Sequence, residues 1–351
     1  MAERLTLTEP PRSILIVMLS ALGDAVHVLP VVNALRRTWP ATRISWVIQS
    51  VAHALVRHHP DVDEFIPFQR RRGSASWRSY ADLAKAFEGR RFDLLLALQV
   101  YLKAGLITAQ APARIKLGFD RARARDLNWL FTTHRIPAHP EGQHVQDQYL
   151  EFLAELGVPA EPLAWDLGPW PSEVAWRDSF FRGFDRPVAS IVVATSKPQK
   201  DWLPERWAQV CDILWDEFGL QPVLVGGQSE RERGAERVIL ERARCRPHSA
   251  LGSGLRNLVG ILSGSALVLS PDTGPLHMAV ALDRPVVSLM GYTNPRRTGP
   301  YRRFLDLLVD AYGDPGEAYP ISMENRTDRM DRITVEQVRD RIVRWSERYR
   351  G

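Results

Sequence analysis

Short apolar runs recur along this chain, and each is followed by a longer stretch whose apolar positions return every three or four residues. The first pattern is that of a buried strand, the second that of a helix packed on one face. SILIVML (13–19), RISWVIQ (43–49), EFIPF (64–68), FDLLLALQ (92–99) and ARIKLGF (113–119) predict strands. Helical spacing covers 51–58, 79–89 and 102–111. The stretch 25–38 is helical too, but Pro30 is unfavourable inside a helix. The sequence therefore predicts a short turn and a main helix starting near Pro30. VQDQYLEFLAELG (145–157) is amphipathic and ends on a glycine suited to a helix C-terminus.

VPAEPLAWDLGPWP (158–171) carries four prolines and predicts a domain linker. A second alternation follows it. Strands are expected at 188–194, 221–227, 266–270 and 285–291, with helices at 204–219, 229–243, 255–264, 275–282 and 334–349. Two such alternations imply an α/β protein with two open parallel sheets covered by helices. Ligands in such sheets bind outside the carboxyl ends of the strands. The expectation is two Rossmann-like domains facing across a cleft, 1–165 and 166–330, with 331–351 as a final helix packing back across the linker.

Composition narrows this picture. The chain has 351 residues, 45% of them hydrophobic, enough for two cores. Lys and Arg number 46 against 41 Asp and Glu, a formal net charge of +5. The placement says more than the sum. Arg70, Arg71 and Arg72 form a run, Arg90 and Arg91 a pair, and Arg114, Lys116, Arg121, Arg123 and Arg125 lie close together. This bias suits an anionic ligand or a membrane surface, although a solvated arginine surface accounts for any single one of them equally well. No nucleic-acid module is recognisable, so no nucleic-acid partner is expected. The two cysteines, Cys211 and Cys245, have neither metal-ligand nor disulfide-framework spacing, which fits a reducing compartment. The N-terminus has no apolar signal core, and no run approaches the roughly 20 apolar residues of a spanning helix. The expected location is cytoplasmic.

Three strand-to-helix junctions carry candidate chemistry. In SALGDAVHVLP (20–30), Gly23 permits a sharp turn or a close approach, and Asp24 offers a carboxylate either as a helix cap or as a general base. His27 lies one helical turn further on. In LVLSPDTGPLHMAVALDRP (267–285), Asp272, Thr273 and Gly274 turn into a helix with Pro275 at its start, and His277 follows in the first turn. Free N–H groups at such a helix start suit phosphate. In ATSKPQKDWLPERW (194–207), Thr195, Ser196 and Lys200 bring two hydroxyls and a cation to one loop, with Lys197 competing for the cationic role. Weaker signals stay structural. GSG (252–254) lacks the third glycine of a dinucleotide fingerprint, DVD (61–63) reads as a turn, and Trp202 and Trp207 read as packing residues.

Together, in this order, these stretches resemble glycosyltransferase family 9, the ADP-heptose:lipopolysaccharide heptosyltransferases, over nearly the whole chain. GDAVHVLPVVNALRR is similar to the family's opening helix, SPDTGPLHMAVALDRPVVSLMG to its donor-site signature, and KDWLPERW to its phosphate loop. LQVYLKAG, GFDRARARDLNWLF and GQHVQDQYLEFL are more like heptosyltransferase I than heptosyltransferase II. The resemblance implies a glycosyltransferase-B fold and an inverting transfer needing neither cofactor nor obligatory metal. ADP-heptose is the implied donor and Kdo-lipid A the acceptor, with peripheral contact at the cytoplasmic face of the inner membrane. It implies Asp24 as the catalytic base and Lys200 as the cation on the donor diphosphate. Thr195, Ser196, Gln228, Asp272, Thr273, Gly274 and His277 would line the donor site. Gly23 and Arg125, with Arg70, Arg71 and Arg72, would meet the acceptor.

Two positions depart from the family pattern. Met18 stands where the family has a lysine, and Gln228 stands at an acidic position, with Glu230 nearby. They keep open a transferase using another nucleotide-sugar or another glycan. A non-catalytic sugar-nucleotide-binding protein is a further alternative, and a base aimed at an acceptor would be superfluous there.

Overall fold

The computed structural model describes residues 5, 7–71, 73–139 and 142–350. They form two compact units. Unit 1 holds the residues up to 139 with Val145–Asp166, and unit 2 holds Gly142–His144 with 167–350.

Unit 1 runs β1 (Ser13–Val17), α1 (Leu22–Thr38), β2 (Arg43–Ile48), α2 (Ser50–Val56), β3 (Glu64–Pro67), α3 (Ser76–Phe87), β4 (Phe92–Ala97), α4 (Leu102–Gln110), β5 (Ala113–Gly118), β6 (His134–Arg135) and α5 (Val145–Glu155). Its six strands are all parallel, in the order β3-β2-β1-β4-β5-β6. Leu15 and Val17 pack with Val47, Leu95, Ala104 and Ile107, while Ile14 and Ile16 are equally buried. A strand covered on both faces needs a continuous apolar run rather than an alternating one, and that is what β1 carries.

The predicted turn ahead of Pro30 does not form. α1 is continuous from Leu22 to Thr38 with Pro30 inside it. Every residue from Ala25 to Leu35 is buried. That packing offsets the roughly 3 kcal/mol that an interior proline costs a helix.

Unit 2 runs α6 (Pro171–Phe181), β7 (Val188–Val192), α7 (Pro204–Asp216), β8 (Gln221–Val225), α8 (Glu230–Arg242), β9 (His248–Ser249), α9 (Leu255–Gly264), β10 (Leu267–Pro271), α10 (Gly274–Ala281), β11 (Val286–Met290), α11 (Pro295–Thr298), β12 (Leu308–Asp310) and α12 (Val335–Arg348). Its sheet is also parallel, in the order β12-β11-β10-β7-β8-β9. Both sheets share one winding. The first strand lies in the middle, the second and third extend to one side, and the fourth to sixth to the other. This is the doubly wound Rossmann-like topology, present twice as in the glycosyltransferase-B fold. Trp202 and Trp207 pack edge to face at 4.6 Å in the core, and the Trp202 indole donates to the Ile333 carbonyl at 3.0 Å. α12 packs on α7 and beside β12.

The hydrophobic pattern left β6, β9, β12 and α6 unassigned. The strands have only two or three residues, too few for any period to register. α6 has no buried residue, so its apolar positions do not trace a core-facing stripe.

The proline-rich stretch is not a loose tether. The Arg37 guanidinium, on α1, donates to the carbonyls of Pro159, Ala160, Glu161 and Pro162 at 3.0–3.4 Å. The Asn33 amide donates to Ala164 O at 2.8 Å, and His59 Nε2 lies 3.2 Å from Trp165 O. The division falls between Asp166 and Leu167. Beyond it, Arg256 on α9 grips the chain. Its Nε and Nη2 donate to the two Glu173 carboxylate oxygens at 2.7 and 2.6 Å. It also donates to Leu167 O at 3.1 Å and stacks 3.6 Å from the Trp170 ring centre. Both ends are thus held by side chains that satisfy carbonyls outside regular structure.

Truncating a buried guanidinium strands its carboxylate partner. Arg256→Ala is expected to lower the unfolding free energy of unit 2 by about 3 kcal/mol in urea denaturation. Arg256→Lys should lose less, since it keeps the charge but not the fork. A loss well under about 1 kcal/mol for Arg256→Ala would mean that the grip is not what holds this strap.

Candidate functional site

In a doubly wound sheet the crevice lies where the strand order reverses, because neighbouring connections leave there toward opposite faces. In unit 1 that point is between β1 and β4, and in unit 2 between β7 and β10.

In unit 1, Gln99 ties the two loops at this point together. Its Oε1 accepts from the Leu19 N–H at 3.3 Å and its Nε2 donates to Ser20 O at 2.7 Å. The chain then enters α1. Gly23 occupies the second helical position rather than a sharp turn, and Asp24 the third. The half-buried Asp24 carboxylate accepts from the Ala21 N–H at 2.8 Å through Oδ2, and from the Tyr149 hydroxyl at 3.3 Å through Oδ1. Asp24 therefore does cap the helix, folding back on the residue before it. The positive end of the helix dipole stabilises the carboxylate there. His27 is buried, with Nδ1 2.9 Å from Gln146 Oε1, while Gln146 Nε2 donates to His27 O at 2.8 Å. These bonds join α1 to α5, which is a structural role. The Met18 side chain lies in the core and its carbonyl accepts from the Trp46 indole at 2.8 Å.

The predicted basic residues of unit 1 divide. Arg70 is exposed just beyond β3. Arg71 is engaged by Asp82 at 2.9 Å, and its N–H donates to Ser79 Oγ at 2.9 Å. Arg72 lies outside the described residues. Arg125 is exposed, and its N–H donates to Val100 O at 2.8 Å, which sets it beside the loop after β4. Lys103, in the first turn of α4, was not singled out from the sequence. Burial lowers its pKa, and the nearby Arg70 charge lowers it further. Asp61 and Asp63 of DVD belong to the turn before β3, where Asp63 accepts from the Ile44 N–H at 2.7 Å and pairs with Arg36 at 2.6 Å.

In unit 2 the loops after β7 and β10 meet through an ion pair. Lys200 Nζ lies 2.5 Å from Asp272 Oδ2, with both side chains largely buried. Asp272 precedes Thr273, the N-terminal cap of α10, and Gly274 is the first helical residue, with Pro275 second. The Thr273 hydroxyl makes no capping bond. The cation and the N-terminus of α10 thus lie at one place, where Pro275 carries no N–H and the Leu276 N–H donates to Thr273 O at 3.0 Å. His277 Nε2 is 3.8 Å from Asp272 Oδ1. Burial pushes the His277 pKa down to about 3, helped by the charges of His144 and Lys200, so the ring is neutral.

The loop before Lys200 is internally bonded. The Thr195 N–H donates to Asp201 Oδ1 at 2.7 Å, and its hydroxyl donates to Lys197 O at 2.7 Å, so that hydroxyl is occupied inside the turn. Ser196 is exposed. Lys197 lies over the Tyr292 ring at 5.5 Å, apart from the ion pair, which favours Lys200 for the cationic role. After β8, Gln228 rests on Gly252 so closely that a Cβ there would meet its amide nitrogen at 1.8 Å. Glu232 folds back on the same loop and accepts from the N–H groups of Gly227 and Ser229 at 2.5 and 2.9 Å. Burial alone would raise the Glu232 pKa, but bonds from Ser229 and Gly227 outweigh it and hold it below the ordinary value. Its sequence signal was Ser229-x-x-Glu232, a capping box. Tyr149 gave no comparable signal, since on α5 it reads as one more inward aromatic. Among the described residues no three His, Cys, Asp or Glu side chains gather as a metal site.

Comparison with known proteins gives a consistent result. The sequence profile of glycosyltransferase family 9 (heptosyltransferase) matches residues 80–313. The lipopolysaccharide core heptosyltransferase OpsX of Haemophilus influenzae is 32% identical over 306 residues, covering 87% of this chain and 86% of that protein. The glycosyltransferase family 9 structure from Veillonella parvula superposes with a TM-score of 0.80 at 21% identity, over 95% of this chain and 96% of the other. The E. coli heptosyltransferase WaaC with ADP-2-deoxy-2-fluoro heptose superposes with a TM-score of 0.71 at 23% identity, over 95% and 99%.

The neutral state of His277 is directly measurable. Its folded pKa lies below the unfolded value near 6.5, so between the two the unfolded chain binds the extra proton and stability falls as pH drops. The His277 ring should keep its neutral NMR shifts down to pH about 5, and its share of stability should fall by about 1.4 kcal/mol per pH unit below 6.5. A ring that titrates near 6.5 would contradict the buried, neutral assignment.

Proposed function

The chain belongs to glycosyltransferase family 9, the heptosyltransferases, and we propose that it moves heptose from ADP-heptose to the Kdo-lipid A inner core of lipopolysaccharide, as heptosyltransferase I does. The observation that carries this reading is the Lys200–Asp272 pair beside the N-terminus of α10, at the strand-order reversal of unit 2. A cation and a helix N-terminus on one spot suit a leaving diphosphate.

In this mechanism Asp24 takes the proton from an acceptor hydroxyl as its oxygen attacks the anomeric carbon. The bond from that carbon to the diphosphate oxygen breaks on the opposite face, and the configuration inverts. General-base help is worth on the order of 100- to 10,000-fold. The bonds from Ala21 and Tyr149 support the role by orienting the carboxylate. Lys200 leaves Asp272 for the diphosphate and neutralises the charge that ADP carries away, while Thr273, Gly274 and His277 border that charge. Ser196 and Gln228 flank the donor, and Thr195 shapes its loop. Arg125, with Arg70, Arg71 and Arg72 as helpers, would take the carboxylates and phosphates of the acceptor. Gly23 would leave room for it. No cofactor takes part. A second donor sugar is the reading that Gln228 would favour, yet Glu232 supplies an acid to the same loop. No helix among the described residues is long and apolar enough to cross a membrane, and the enzyme would work peripherally at the cytoplasmic face of the inner membrane.

The decisive experiment mixes the protein with ADP-heptose and Kdo-lipid A and reads the product by mass spectrometry. One added heptose is expected. Asp24→Asn should reduce the rate at least about 100-fold with ADP affinity near normal; transfer at the wild-type rate would leave Asp24 a cap alone. No added mass from folded protein would remove this donor and acceptor pair.

Lys200→Ala should lower kcat/KM for the ADP-sugar by about 100-fold or more while leaving acceptor binding nearly unchanged. Equal donor kinetics in the variant would exclude Lys200 from the diphosphate site.

A further inference from the structure

We propose that the face of unit 1 formed by α4 and the turn at Asn128–Phe131 docks on an anionic lipid bilayer. The inference deepens the reading above, on which it rests for why a lipid surface is at hand.

Two segments build one surface. Leu102 and Leu106 lie one turn apart on α4 and are 42% and 37% exposed, while Ala104, Ile107 and Thr108 face inward. The 128–131 turn lies against the same helix because Gly105 has no side chain. A Cβ there would meet the Phe131 ring at 2.5 Å. Asn128 Nδ2 donates to Tyr101 O at 2.8 Å, which fixes the two segments together. The turn adds Leu127 and Leu130, 60% and 55% exposed. Leu127 has φ +60°, a left-handed conformation that a leucine rarely adopts. A large apolar side chain held outward at a strained position marks a constraint other than core packing.

Positive charge surrounds these side chains. From Leu98 to Arg135 the chain has seven Lys and Arg against Asp120 and Asp126, and Asp120 is bonded to Arg123. Trp129 has the Arg121 guanidinium 4.6 Å and the Arg135 guanidinium 5.4 Å from its ring centre. Arg70 brings further charge near Lys103, in the first turn of α4. Leucine, tryptophan and arginine in one patch match a membrane interface, where acidic headgroups lie directly above acyl chains. Apolar insertion and attraction to acidic lipid are each weak, and together they give stable but reversible docking.

The test is flotation with phosphatidylcholine vesicles, with and without phosphatidylglycerol, for wild type and for the double variant Leu106→Asp, Leu130→Asp. Wild type should float with the acidic vesicles only, and added salt should release it. The double variant, folded by circular dichroism, should bind at least about tenfold less. Equal flotation of the two proteins, or no flotation of wild type, overturns the proposal. So does a wild-type dimer that the double variant converts to monomer, because the face would then be a self-interface. Transfer assays separate this from the function. The double variant should act normally on a deacylated, water-soluble acceptor and poorly on one embedded in vesicles. If wild type transfers heptose to neither acceptor, the functional reading fails while flotation still decides the surface.

Discussion

Parallel pairing is the constraint on which everything else here depends. A parallel strand cannot be joined to its neighbour by a tight hairpin, so the chain must return by a crossover, usually a helix, to the edge where the sheet begins. All carboxyl ends then share one rim. Asp24 follows β1, Arg70 follows β3, and Lys200, Glu232 and Asp272 follow β7, β8 and β10. Residues far apart in sequence, such as Lys200 and Asp272, come within 2.5 Å because their strands are neighbours. The reversal of strand order then opens room at one point of each rim, between β1 and β4 and between β7 and β10. A site at either place needs no special scaffold beyond two loops.

The charged groups at these points are held in states that cost little to maintain. Asp24 lies at a helix N-terminus and accepts from the Ala21 N–H and the Tyr149 hydroxyl, an environment that favours a carboxylate. Lys200 and Asp272 neutralise each other in a partly dry place where either charge alone would be unfavourable. Placing a third charge on His277 would break that balance, and burial keeps the ring neutral. In the proposed mechanism an incoming dianion would take over the lysine beside the N-terminus of α10, so that the pair would serve stability until the exchange.

How much of this was legible in the sequence follows from how local each signal is. Buried parallel strands are written as continuous apolar runs, and all nine predicted strands correspond to strands of the two sheets. The junctions at Asp24, Lys200 and Asp272 were legible because a strand, a turn and a helix start are each marked by nearby residues. Pro30 misled because its local cost is real, and only the tertiary packing of α1 shows that it is outweighed. The division between the two units falls inside the proline-rich stretch, but its clamps, Arg37 and Arg256, sit elsewhere in the chain, where no local signal marks them. Tyr149 and Lys103 depend on contacts between α5 and α1 and between α4 and the β3 loop, which no local period encodes. Glu232 was different. Its capping box, Ser229-x-x-Glu232, is readable in the sequence, four residues beyond Gln228.

The arginines of unit 1 show why a count of charges is not a count of contacts. Arg36, Arg37, Arg71, Arg90 and Arg123 are committed to carboxylates or carbonyls of their own unit. Their positive charge is locally balanced or serves to fasten irregular backbone, and little of it reaches an outside partner. Arg121 and Arg135 lie along the faces of an aromatic ring among exposed leucines, and Arg135 also donates to Trp129 O at 3.1 Å. An arginine facing its own carboxylate must be released before it can bind, and that release is a penalty charged to affinity. Stacking on tryptophan does not by itself occupy an arginine's fork of donors, so such an arginine needs less release than one held by a carboxylate. The proposed docking on an anionic surface would draw on the second group more than on the first.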